Sequence, residues 1–139
     1  LYAARYYKHL SLNGIFGWRD TGSLIPLGAA KDFMDRVYIC TQDGSTGHRG
    51  LVTDIFCERV EDIRPDMVFA CGPVAMLKEV QRLCTRFGLD SRFSMEERMG
   101  CGVGSCMTCA CKIERDGNWQ YERVCCDGPV FNGQRVVFD

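Results

Sequence analysis

A chain of 139 residues, 46% hydrophobic and 25% charged, can bury one modest core, so it reads as one domain or one small domain with an appendage. Its net charge of -1, without any Lys/Arg run, gives no electrostatic basis for gripping nucleic acid or anionic lipid. No apolar stretch approaches the roughly 20 residues of a membrane helix, and Leu1-Tyr2-Ala3-Ala4-Arg5-Tyr6-Tyr7-Lys8 lacks the order of a secretory signal, which leaves the cytoplasm as the default address.

Leu1–Leu10 reads as the body of a helix, stopped by Ser11-Leu12-Asn13-Gly14. Because the chain opens with Leu inside that pattern, a fragment is expected. Ile15-Phe16-Gly17-Trp18-Arg19 is short and broken by glycine, a poor strand by pattern alone. Leu27–Asp35 has helical spacing, and Arg36–Cys40 is a β-type run bounded by the turn Thr41–Gly47. Val52–Val60 reads as a helix that Thr53 or Asp54 is placed to cap.

Met67–Cys71 is a continuous apolar run of strand length, followed at once by Gly72-Pro73. Then Met76, Leu77, Val80, Leu83, Cys84 and Phe87 fall at helical spacing, and Gly88 closes the segment. Strand, glycine turn, proline and amphipathic helix together predict a βα unit of a parallel sheet, hence an α/β fold. The loop between them lies at the carboxyl end of a strand, where open α/β sheets bind ligands.

The texture changes near residues 89–98, which predicts an α/β part over 1–90 and a small cysteine-rich β part over 91–139. Thr108–Glu114 is β-like, Asp116-Gly117-Asn118 makes a hairpin turn, and Trp119–Val124 returns.

Ten cysteines are the outlier of the composition. A secreted disulfide scaffold is loop-rich and poor in helical pattern, so metal ligation is favoured. Four residues separate Cys101 from Cys106, two separate Cys106 from Cys109, and Cys125 follows after fifteen more. That is the C-x4-C-x2-C…C order of a plant-type 2Fe-2S site. Two irons sharing two sulfides each need two thiolates; a compact loop wraps three of them, and the fourth arrives from another element. Gly100, Gly102 and Gly104 let backbone N–H groups approach the sulfurs, which raises the reduction potential. The alternative is zinc, whose structural sites more often pair cysteines in two short knuckles. Cys111 would point to the same side as Cys109 on a strand, where it could compete or support, and Cys126 should point away from Cys125. Cys40, Cys57 and Cys84 are expected in the core, and Met95 and Met99 read as packing residues. His9 and His48 read as surface or core residues without metal.

Three segments together carry a resemblance: Met67-Val68-Phe69-Ala70-Cys71-Gly72-Pro73 with Met76-Leu77; Ser94 through Cys109; and Arg123-Val124-Cys125-Cys126-Asp127-Gly128-Pro129-Val130-Phe131. They resemble the electron transfer subunit of class 1B, NAD-dependent dihydroorotate dehydrogenase, over most of residues 36–139. The resemblance implies Cys125, in preference to Cys126, as the fourth ligand. It also implies a ferredoxin-reductase plan, with a partial NAD-binding parallel sheet and then the cluster subdomain. In that family NADH and FAD exchange a hydride, a 2Fe-2S cluster carries single electrons, and an FMN in a separate catalytic subunit completes the path in pyrimidine biosynthesis; net flow runs from dihydroorotate to NAD. FAD is expected to bind mainly through a β-barrel that this sequence does not contain. The glycine-rich loop of the plan is likewise expected before Leu1. The partner implied is the FMN-containing catalytic subunit, in a hetero-oligomer without nucleic acid or membrane. By the same resemblance Cys71, Gly72 and Pro73 face the nicotinamide, and Thr41 and Asp43, with Gly44 and Ser45, form the turn near the dinucleotide. Other readings are the small subunit of a related transhydrogenase or sulfide dehydrogenase, and a stand-alone ferredoxin-like or zinc-stabilised module.

Overall fold

The computed structural model describes residues 9–138. It separates into two compact units, one ending at Arg64 and one starting at Pro65. Of the helix expected over Leu1–Leu10, residues 1–8 lie outside the described residues, and His9 and Leu10 form a turn and a bend.

In the first unit, β1 (Asn13–Trp18), β2 (Arg36–Thr41) and β3 (His48–Arg49) make a parallel sheet in the order β1-β2-β3. The segment that pattern reading left doubtful is thus a strand, paired from Asn13↔Arg36 to Trp18↔Thr41. Its glycines have a packing reason. A Cβ on Gly17 would lie 2.6 Å from Cγ1 of Val52 and 3.2 Å from Sγ of Cys40, and one on Gly14 would lie 2.5 Å from Sδ of Met34. Leu27–Asp35 does not form an α-helix but a 3-10 helix over Gly28–Phe33. Leu27 before it offers no side-chain cap and Gly28 is left-handed at φ 49, so no α-helical turn is nucleated there.

Helix α1 (Val52–Ile63) starts at Leu51, whose N–H donates to Oδ2 of Asp54 at 2.7 Å. Of the two capping alternatives Asp54 fills the role, while Thr53 is buried. Ile55, Phe56 and Val60 form the buried face, toward β1 and β2. Cys57 does not join them: it lies next to Phe56 on the outer side of the helix and is exposed, correcting its expected place in the core. A turn of helix rotates neighbours by about 100°, so one residue can face the sheet and the next solvent.

In the second unit β4 (Met67–Cys71), α2 (Val74–Phe87) and β5 (Asp90–Ser94) form the predicted βαβ element, with β4 and β5 parallel from Met67↔Asp90 to Cys71↔Ser94. Leu77, Val80, Leu83 and Cys84 are its buried helix face. Gly88 ends the helix in the left-handed region at φ 66, and the N–H of Leu89 closes on the Cys84 carbonyl at 2.8 Å. Beyond it, β6 (Ala110–Arg115) and β7 (Asn118–Arg123) are a hairpin whose turn residues Asp116 and Gly117 have φ of 53 and 81, the signature of a type I′ turn. A second sheet of order β7-β6-β9 is completed by β9 (Val136–Val137).

The change of texture near residues 89–98 falls inside this unit. β8 (Val130–Asn132), which follows the last cysteines, returns to pair antiparallel with β5, setting Phe131 opposite Phe93. Gln81 on α2 fastens the segment after β8 by donating to the carbonyls of Gly133 at 2.6 Å and Val136 at 2.7 Å. β8 therefore joins the sheet of the βαβ element, while β6, β7 and β9 form the other sheet. Among the described residues, no helix is long and apolar enough to cross a membrane.

Candidate metal centre

The loop that follows β5 carries three of the cysteines. The backbone N–H of Cys106 donates to Sγ of Cys101 at 3.4 Å, and Oγ1 of Thr108 donates to Sγ of Cys106 at 3.2 Å. Hydrogen bonds to the Cys106 sulfur, from the side chain and backbone of Thr108 first and from Cys101 after them, bring its thiol down to about 6 from the usual thiol range, favouring the thiolate that metals bind. Cys109 is buried just before β6, where its carbonyl accepts the N–H of Val124 at 3.0 Å. That bond delivers Cys125 to Cys109. The Cys125 thiol is pushed up to about 11, first by its hydrogen bond with Cys109, and the Gly104 N–H works in the opposite direction.

The four thiols so form two pairs, Cys101 with Cys106 and Cys109 with Cys125. Among the described residues, no three His, Cys, Asp or Glu side chains gather closely enough to hold one ion. Glycine lets the backbone approach the sulfurs: a Cβ on Gly100 would stand 3.0 Å from Sγ of Cys106 and 2.8 Å from Oγ1 of Thr108. Gly102 and Gly104 are left-handed, at φ 70 and 79. Paired thiols, converging N–H donors and a glycine backbone fit a two-iron group bridged by sulfide.

The neighbouring cysteines differ. Cys126 is exposed, with its Sγ only 2.8 Å from where a Cβ of Gly104 would be. Cys111 is buried in β6 opposite Glu122, and burial first, then the Glu122 charge, pushes its thiol up to about 11. Glu122 is itself buried and receives Nε of Arg115 at 2.6 Å. Met95 packs in the core as expected, whereas Met99 does not: it is exposed, in the loop that leads to Cys101. His9 is exposed and His48 half-buried.

The remaining sequence-picked residues divide between the units. Thr41 is fully buried at the end of β2, and its Oγ1 donates to the carbonyl of Thr46 at 2.9 Å. Asp43 is exposed, and Oδ1 accepts the N–H and hydroxyl of Ser45 at 2.9 and 2.7 Å, which holds its carboxyl below the usual range. In the second unit, Cys71 is exposed at the carboxyl end of β4, ahead of Gly72 and Pro73, and Pro73 caps α2. Its Sγ donates to Oε1 of Glu96 at 3.6 Å, and burial first, then the Glu96 charge, raises the thiol's pKa. Pattern reading gave no role to Glu96 or Thr108. Thr108 sits two residues from Cys106, a spacing that could have marked it; Glu96 meets Cys71 only through the β4–β5 pairing.

Over 138 residues the chain is 42% identical to the dihydroorotate dehydrogenase B (NAD(+)), electron transfer subunit of Caldanaerobacter subterraneus subsp. tengcongensis, and residues 96–137 match the iron-sulfur cluster binding domain of dihydroorotate dehydrogenase B. The chain is similar to this family's electron transfer subunits over nearly its whole length. The match takes in 99% of this chain and 54% of that relative. The electron transfer subunit of Clostridium perfringens is 39% identical over 131 residues, 94% of this chain and 49% of the relative. The chain thus spans about half the length of the curated family members it matches. Among solved structures, that of an NADH-dependent reduced ferredoxin-NADP oxidoreductase used to study flavin-based electron bifurcation superposes with a TM-score of 0.77 at 28% identity, over 97% of this chain and 48% of that one. The α/β architecture with a ferredoxin-reductase-like parallel sheet and an iron-sulfur-binding region agrees with the expectation from sequence.

Proposed function

We propose that the chain relays electrons inside a cytoplasmic, NAD-dependent dihydroorotate dehydrogenase, between NAD(H) with FAD on one side and the FMN of a catalytic subunit on the other, through a 2Fe-2S cluster. The observation that carries this reading is the arrangement of thiols in two pairs within the matched family segment. Cys101 and Cys106 would hold one iron, and Cys109 and Cys125 the other. When bound, the cluster would supply a carrier of one electron at a time between the reduced FMN of the catalytic subunit and the FAD that exchanges hydride with NAD. The protein's share is orientation: the Cys106 N–H and the Thr108 hydroxyl point at sulfur, and Gly100 leaves the space for that approach.

For the nucleotide end, position in the fold supports the reading. Cys71, Gly72 and Pro73 stand at the carboxyl end of a parallel strand and the start of α2, the place where α/β sheets receive nucleotides. In the first unit Thr41 shapes the turn after β2 from within, and Asp43 and Ser45 present its polar rim. The ferredoxin-NADP oxidoreductase neighbour supports a second reading, a small subunit of a transhydrogenase of that type.

Reconstitution with the FMN subunit separates the two. Dihydroorotate-dependent NAD reduction that needs this chain is expected, together with a red-brown chromophore and a reduced-state paramagnetic signal. Ferredoxin-dependent reduction of NADP without dihydroorotate activity would select the second reading, and a colourless zinc protein would end both.

A further inference from the structure

Arg123, the last residue of β7, connects the loop of Cys101, Cys106 and Cys109 with the turn that holds Cys125. Its backbone N–H donates to Oδ2 of Asp127 at 2.8 Å, and its carbonyl accepts the N–H groups of Asp127 at 2.8 Å and Cys126 at 3.2 Å, closing a turn around Cys125. The guanidinium then grips the same carboxylate as a fork, Nε to Oδ2 at 2.9 Å and Nη2 to Oδ1 at 3.2 Å. Its third nitrogen, Nη1, leaves that turn and donates to the carbonyl of Gly104 at 2.7 Å, in the loop of Cys101, Cys106 and Cys109.

An ion pair this exposed, with side-chain exposures of 36% and 32%, adds little to stability. Its geometry accomplishes something else. Gly104 is left-handed, its carbonyl is held by Arg123, and its N–H faces the sulfur of Cys125, so the fork fixes the aim of a donor toward a ligand. A lysine in this position has a point charge without the planar fork and cannot span both partners in the same way. A cation here also interacts more strongly with the reduced cluster, which carries one more negative charge.

We propose that Arg123 is a positioning residue of the centre: it locks the Gly104 loop to Asp127, beside the fourth cysteine, and its charge favours the reduced cluster. This rests on the reading of the four cysteines as ligands of a 2Fe-2S cluster. The tests use the intact protein loaded with its cluster, comparing wild type with Arg123→Gln, Arg123→Lys and Asp127→Asn. Readouts are the rate of iron loss to a chelator, the reduction potential, and circular dichroism for the fold.

Arg123→Gln should lose iron on the order of tenfold faster or more, the scale at which groups supporting metal ligands act, and should have a lower potential. Arg123→Lys should lose iron faster as well, yet keep a potential near wild type, because the charge stays. Asp127→Asn should loosen the cluster without lowering its potential, since it removes a negative charge. Iron loss at the wild-type rate in both Arg123 variants overturns the clamp, and a wild-type potential in Arg123→Gln overturns the role of charge. A wild-type protein without the optical and paramagnetic signature of two iron atoms overturns the reading of the centre itself.

Discussion

Replacing Gly104 with Ala adds one methyl against the Cys126 sulfur in the cysteine loop. Its cost has two separable parts. At φ 79 an L side chain is strained, by about 1–2 kcal/mol. The new Cβ would also lie 2.8 Å from Sγ of Cys126 and 3.6 Å from its Cβ, so Cys126 must leave its rotamer, at about 0.5–1.5 kcal/mol. Gly102 offers the control: it is left-handed too, at φ 70, but a Cβ there meets nothing within 4 Å. Gly102→Ala should therefore show the backbone part alone, and Gly104→Ala roughly 1 kcal/mol more, as worked from the rotamer cost. Cys126→Ala should restore that difference when combined with Gly104→Ala and do nothing comparable for Gly102→Ala. Denaturant titration of the cluster-loaded protein, followed by visible absorbance, measures both as a double-mutant cycle. Equal losses at the two glycines, or an additive cycle between Gly104 and Cys126, would refute the placement of the Cys126 sulfur against Gly104.

Three further outcomes are expected. Serine at Cys101, Cys106, Cys109 or Cys125 should abolish the visible spectrum, whereas Cys84→Ser and Cys126→Ser should keep it; a normal spectrum in Cys125→Ser moves the fourth ligand elsewhere. Gln81→Leu removes the shared donor of the Gly133 and Val136 carbonyls and should destabilise the protein by about 2 kcal/mol in chemical denaturation, with unchanged stability counting against that anchoring. Because burial and the Glu96 charge hold the Cys71 thiol above its ordinary range, its thiolate forms only at higher pH and alkylation at mildly alkaline pH should be slow; Glu96→Gln should speed it, and an unchanged pH-rate profile would break the pairing.

The sequence by itself determined the parts whose rules are local. A continuous apolar run, Gly72-Pro73 and a helical stripe closed by Gly88 suffice for β4 and α2, because strand, cap and amphipathic period are all written within neighbouring residues. The hairpin at Asp116-Gly117 is legible for the same reason, and so is the spacing of Cys101, Cys106 and Cys109, since one short loop must reach both irons of the proposed cluster. Tertiary structure decided the rest. β1 is a strand because Gly14 and Gly17 make room for Met34, Val52 and Cys40, neighbours that the local pattern does not contain. Cys57 and Met99 face outward because the direction of a side chain depends on which face of its element finds a partner. Arg123 reaches Gly104 across nineteen residues, and Cys71 meets Glu96 across twenty-five, only once turns and parallel pairing have folded those separations into hydrogen-bond distance.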